Sequence, residues 1–284
     1  MVPLRVRSCF SLLRGTASPA SLCRRAARFG YTGMALTDLE NLYGLWSFLA
    51  ACEQEHIRPI IGTEIDIGTA GRLVLLVRNE TGYRNLCNII SRRKRKQSLS
   101  VTSESAPLFE GLVLLSRSEA TLKVCRELDL EAAADLGNRP TEKGSRLRRL
   151  AADLEIPAVP VPDSDLGEPG ERRLHLLLRA IAASETLDSA LRGARDEVHW
   201  LESPEVYNNR FSVWPEVGRA SDVIAERCSF VRPSAGLLMP PWQNHGRQPA
   251  GVVLRQQAYE GARQRYGETL PGQVVDRLDY ELGI

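Results

Sequence analysis

The first 65 residues constrain the fold more than any other stretch. Leu4–Val6 reads as a short strand. Ser18-Pro19 then supplies an N-cap and a proline at the first helical position. Leu22, Ala26 and Phe29 follow at helical spacing until Gly30 closes the helix. Met34–Thr37 is a short apolar strand with Asp38 at its exit. Glu40 or Asn41 opens a second helix with an apolar stripe of Leu42, Trp46, Leu49 and Ala50, and Pro59–Ile67 is a third strand with Glu64 near its end. Strand and helix in alternation point to an α/β fold, in which ligands and metals are held at the C-terminal ends of strands. Asp38 and Glu64 are the first candidate site residues on that ground.

The alternation continues. Arg72–Val77 is an unbroken apolar run, as expected of a strand covered on both faces. Thr81–Ile90 reads as a helix, the basic block and polar stretch up to Ala106 as a loop, and Gly111–Leu115 as another buried strand. Ala120–Arg126 and Lys143–Leu154 read as helices, Ala158–Val161 as a strand leading to Asp163, and Glu171–Ala183 as a helix. The pattern predicts a parallel sheet. The last third changes character: Ser203–Phe211 and Trp214–Cys228 look helical, and Pro233–Pro249 is a Pro- and Gly-rich linker. Val252–Tyr266 is a helix, and Asp276–Leu282 starts another that runs to the last residues. The expectation is a domain over residues 1–232, then a linker and helical start of a further region over 233–284, within a longer protein.

The charge balance of +2 names no partner. Arg92-Arg93-Lys94-Arg95-Lys96 does carry local information. Five cations without a counter-charge either track a phosphate backbone or form a solvated loop. The six cysteines (Cys9, Cys23, Cys52, Cys87, Cys125 and Cys228) are scattered, which argues against a zinc ribbon or a disulfide framework and for reduced thiols. No run of about 18 apolar residues marks a membrane span. Arg5, Arg7 and Arg14 break the early apolar stretch, so no signal peptide is read and a cytoplasmic location is expected.

Several segments together carry a resemblance. They are LRVRSCFSLLRGTASP, ALTDLENLYG, IRPIIGTEI, LVLLVRNETGYRNLCNII, EGLVLLS, LHLLLRAI, MPPW and RYGETLPGQVVDRLDYELGI. In this order they resemble the N-terminal PHP (polymerase and histidinol phosphatase) domain of bacterial DNA polymerase III alpha subunits of the alpha-like or error-prone type. Arg78–Ile90 and Arg277–Ile284 are the most specific pieces. The resemblance implies a distorted seven-stranded β/α barrel with a C-terminal helical extension. It also implies polymerase domains in cis or from a neighbouring frame as partners, with DNA or other replication proteins beyond them. The palm carboxylates of nucleotidyl transfer lie outside this chain.

PHP domains that keep activity hold metal ions with histidines and carboxylates, and the resemblance locates the corresponding positions here. The family's H-x-H-S falls on Arg5, Arg7 and Ser8. Its T-D-H-D-N-L-Y-G falls on Thr37–Gly44, with Asp38 kept and Leu39 in place of histidine. Glu64 is kept. Where the family can carry a cysteine, this chain has Arg117 and Ser118. The late D-x-H is Asp163-Ser164-Asp165. Asp38, Glu64, Asp163 and Asp165 alone could hold magnesium or manganese weakly; tight zinc binding calls for imidazole or thiolate. His56, His175, His199 and His245 read as structural or solvated. The expectation is no cofactor and no catalytic residue, with guanidinium replacing metal: Arg5 and Arg7 share one face of an extended segment, and either both point to solvent or Arg5 or Arg7 pairs with Asp38, Glu64 or Asp163.

Three functions compete at this level. One is a structural module of a polymerase. The second is a metal-dependent phosphoesterase or 3′–5′ proofreading nuclease using the residual carboxylates. The third is a nucleic-acid-binding module using Arg92–Lys96.

Overall fold

The computed structural model describes residues 1–68, 71–193, 199–233 and 248–283. The chain divides into two compact units, Met1–Pro233 and Ser234–Ile284. His245, the MPPW segment and most of the 233–249 stretch lie outside the described residues.

The first unit is α/β. In order it contains α1 (Pro19–Arg28), β1 (Gly33–Leu36), α2 (Leu45–Gln54), β2 (Arg58–Asp66), β3 (Arg72–Val77) and α3 (Glu80–Lys94). Then come β4 (Leu112–Ser116), α4 (Glu119–Glu127), β5 (Ala132–Asp135), α5 (Glu142–Asp153) and β6 (Ala158–Val159), followed by α6 (Arg172–Ala183), α7 (Leu187–Gly193), α8 (Pro204–Arg210) and α9 (Ala220–Arg227). The six strands form one sheet in sequence order. β1–β2, β4–β5 and β5–β6 are parallel. β2–β3 and β3–β4 are antiparallel, so the sheet is mixed rather than parallel throughout. The cause is a hairpin. Gly68 and Gly71, both at positive φ, turn the chain directly from β2 into β3, leaving no room for the crossover helix a parallel pair needs.

The expected first strand is extended backbone with single bridges. Val6 bridges Leu36 on one side and Ser164 on the other, so this segment touches both ends of the sheet. Among the described residues the sheet has six strands. The second helix starts at Leu45, later than Glu40 or Asn41, because Asn41 turns the chain by accepting from the Tyr43 N–H at 3.0 Å. Trp214–Cys228 is not one helix: a 3₁₀ turn at Pro215–Val217 precedes α9.

The two faces of the sheet are both apolar. Leu73, Leu75, Leu112, Leu114 and Ala134 pack against Leu86 and Ile89 of α3, Leu122 of α4 and Leu147 of α5. Alternate residues Val74, Leu76, Val113, Leu115 and Ala133 meet Val2, Leu4 and Ile224 of α9. Side-chain caps start the helices. Ser18, Asn79, Ser118 and Thr141 each accept the N–H three residues on.

The second unit contains α10 (Ala250–Tyr266) and α11 (Gly272–Leu282), tied by Arg255 and Tyr259, which both donate to Asp279 Oδ1 at 2.6 Å.

Candidate functional site at the strand ends

Glu64 sits in β2 with no exposed surface, in register with Val74 of β3. Asp135 is the last residue of β5, and Asp163 and Asp165 follow β6. The parallel bridges of Val6 hold the extended segment between the two sheet ends, and this delivers Arg5 and Arg7 to the carboxylates. Arg5 donates from Nε and Nη2 to the two oxygens of Glu64, both at 3.1 Å, and from Nη1 to Asp135 Oδ2 at 3.0 Å. Arg7 donates from Nε to Glu64 Oε2 at 2.9 Å, and its Nη2 reaches the same oxygen. Arg7 Nη1 donates to Asp163 and, at 2.7 Å, to Asp165. Three more arginines extend the network. Arg14 reaches Asp165 at 2.7 Å, Arg72 reaches Glu64 at 3.2 Å, and Arg117 lies 3.1 Å from Asp135.

These contacts fix the charges. Burial opposes the ionised form of Glu64, but Arg5 and Arg7 outweigh it and hold the carboxyl at about 2. Burial likewise works against Asp163, and Arg7 and Arg5 hold it below the usual carboxylate range. Both guanidiniums stay charged despite burial, their pKa raised by Asp163 and Glu64.

Asp38 stands apart. It accepts from the Ser8 N–H and Ser8 Oγ, each at 2.8 Å, and from Ser11 Oγ at 2.6 Å. Its burial raises its pKa, with the Ser11 and Ser8 hydrogen bonds only partly offsetting that. Of the three acids expected to pair with Arg5 or Arg7, Glu64 and Asp163 do so, whereas Asp38 pairs with serines among the described residues. The reason is local: Ser8 and Ser11 sit on the turn that passes over the end of β1 and fill the oxygens of Asp38 first.

Asp135 has no counterpart among the sequence candidates. Its strand is Ala132–Asp135, and alanine is a poor strand marker. The available signal was an acid leaving a short apolar segment between two helical patterns, as Asp38 does. His175 is buried in α6 with Nδ1 2.8 Å from the Arg14 carbonyl, and His199 contacts Asn138. The His199 carbonyl accepts from the Asp165 N–H at 3.0 Å, and the Asp165 charge acts on His175. A cleft of about 210 Å³ beside Asp135 is lined by Arg117, Asn138, Lys143 and His199, among others.

A metal of the kind the family uses does not fit these residues. Both oxygens of Glu64, and one each of Asp135, Asp163 and Asp165, already accept guanidinium hydrogens. A cation placed among them would face two permanent positive charges in a buried site. Among the described residues, no group of three or more His, Cys, Asp and Glu is spaced to hold a metal ion.

The basic run is not wholly loop. Arg92, Arg93 and Lys94 form the last turn of α3, where cations complement the helix dipole. Arg93 Nη2 pairs with Glu40 at 2.8 Å and Lys94 Nζ lies 5.4 Å from the Tyr43 ring centroid.

An α/β unit with its acids gathered where strands end defines a class: domains that carry ligand chemistry on a strand rim, here closed by arginine. The family model described as PHP domain matches residues 3–143, just under half of the chain. The chain is 28% identical to an error-prone DNA polymerase of Pseudomonas paraeruginosa, covering 98% of this chain and 28% of that protein. It is 27% identical to the DNA polymerase III subunit alpha of Bacillus subtilis, covering 100% of this chain and 28% of that protein. The chain thus spans less than a third of the length of these relatives. Among solved structures, an amidohydrolase from Chromobacterium violaceum matches with a TM-score of 0.48 and 14% identity, over 60% of this chain and 88% of that one.

Proposed function

We propose that this chain is the PHP-domain portion of a DNA polymerase III alpha-type subunit serving replication or translesion synthesis, and that its rim is structural rather than catalytic. Similarity over nearly the whole chain to polymerases more than three times as long supports the first part. One observation carries the second: Arg5 and Arg7 occupy the oxygens of Glu64, Asp135, Asp163 and Asp165. Metal-assisted hydrolysis needs ligands arranged round an open coordination position that can activate water. Here guanidinium supplies the counter-charge, so the carboxylates are stabilised without a metal and no bound hydroxide forms. In this reading the rim stabilises the domain, polymerase domains act in cis or from a neighbouring frame, and the protein works in the cytoplasm. The seventh strand of the family barrel corresponds to the segment around Val6, with residues 1–232 as the barrel and 233–284 leading toward the polymerase region.

The test is a metal analysis of the purified chain, with hydrolysis of p-nitrophenyl phosphate and single-stranded DNA in added manganese. The expected result is sub-stoichiometric zinc and manganese and no turnover. Stoichiometric metal, or turnover abolished by changing Glu64 or Asp38, would overturn the structural reading in favour of a phosphoesterase or proofreading nuclease.

A further inference from the structure

The network at the strand ends leaves unexplained a second surface, where the end of α3 meets the turn before α2. Tyr43 and Trp46 are 60% and 58% exposed, three residues apart, at the start of α2. Aromatic rings of this size usually bury most of their area. The end of α3 is fastened to this turn by the Arg93–Glu40 ion pair and by Lys94 over the Tyr43 ring. Glu40 answers Arg93. Arg92, Lys94, Arg95 and Lys96 have no carboxylate partner among the described residues, and all four are exposed. The helix dipole accounts for cations in the last turn of α3. It does not account for Arg95 and Lys96 beyond that turn, nor for the exposed Tyr43 ring under Lys94 and the exposed Trp46 three residues on.

We infer that this face binds a single-stranded polynucleotide, with Tyr43 and Trp46 as stacking platforms and Arg92, Lys94, Arg95 and Lys96 along the phosphates. Charge complementarity and the pairing of rings with cations both select this occupant. Bases unpaired in a single strand offer faces to stack on aromatic rings, and the backbone offers the anions. A duplex hides its base faces and would meet only the cations. An apolar protein segment would leave four cations unanswered. The inference does not depend on the arginine–carboxylate network, and a failed metal test would leave it standing.

The experiment is fluorescence anisotropy of the full chain with a labelled oligo(dT) and a duplex of equal length, at several salt concentrations. Oligo(dT) is expected to bind at low salt and more tightly than the duplex. Tyr43→Ala or Trp46→Ala should each weaken oligo(dT) about 5- to 100-fold with little effect on the duplex. Arg95→Ala with Lys96→Ala should flatten the salt dependence by about 1.4 in log–log slope. All four side chains are exposed, so an unchanged thermal midpoint certifies each variant as folded. Three results would overturn the inference. They are no binding of oligo(dT) at low salt, equal affinity for duplex, or binding that neither aromatic substitution alters. The first would also be the outcome if this face docks protein instead.

Discussion

Arg7 is fully buried and donates to three carboxylates, and that sets the consequence of removing it. A buried ion pair contributes little net stability compared with a well-packed apolar pair, but one partner left alone is an uncompensated buried charge. Arg7→Leu strands Asp163 and leaves Glu64 with Arg5 and Arg72 alone, and should cost about 3–5 kcal/mol. Asp38 provides the contrast. Its oxygens accept from serine hydroxyls and a backbone N–H, and an asparagine can reproduce that pattern because Ser8 Oγ can accept as well as donate. Asp38→Asn should cost about 1 kcal/mol or less. Urea midpoints of the two variants decide the matter. If Asp38→Asn proved as damaging as Arg7→Leu, Asp38 would hold an ion or partner that its serine contacts do not explain. The arginine pairing could be read from the sequence, because Arg5 and Arg7 stand two apart in an extended segment while the acids lie at strand exits. Asp135 could not be read with the same ease, since its three alanines carry no strand signature.

At the scale of elements, the position of α3 is set by a close approach. Asn79 caps α3 through the Gly82 N–H, and Gly111 at φ +74 puts its carbonyl against Gly82 just before β4 begins. A Cβ on Gly82 would fall 1.9 Å from the Gly111 oxygen, with backbone on both sides and no flexible end to yield. Gly82→Ala should therefore shift α3 and cost about 1–3 kcal/mol or more, read as a lowered thermal midpoint. A neutral result would mean that α3 slides freely against β4. The glycines that mattered for topology were also visible, yet uninterpreted: Gly68 and Gly71 between two apolar runs are a hairpin signal, and they make β2 and β3 antiparallel. Helix starts were legible where a capping side chain precedes them. The end of α3 was not, because Ser91–Lys94 lacks an apolar stripe and its helicity comes from propagation of the turn before it.

For the molecule as a whole, the carboxylate network converts acidity into loss of fold. Glu64 titrates near 2 in the folded state, against an ordinary value of 4.5. A depressed carboxylate pKa gives stability that is complete above the unfolded value and is lost as pH falls through the folded one. The window for Glu64 is therefore about pH 4.5 down to about 2, and the shift corresponds to an order of 3 kcal/mol. Asp163, also depressed by Arg7 and Arg5, acts in the same direction. Asp38 acts oppositely: its raised pKa means that protonation favours the fold as pH falls, which blunts the loss at the upper end of the window. Arg5 and Arg7 keep their charge throughout, so protonated acids leave these two buried guanidiniums without counter-ions. Urea midpoints measured from pH 7 to pH 2 should be level down to about pH 5 and then fall steeply, and added EDTA should not move them. A level profile through pH 3 would show that Glu64 is not held by Arg5 and Arg7. A loss of stability on EDTA at neutral pH would restore metal as the counter-charge, and with it the hydrolytic reading of the strand rim.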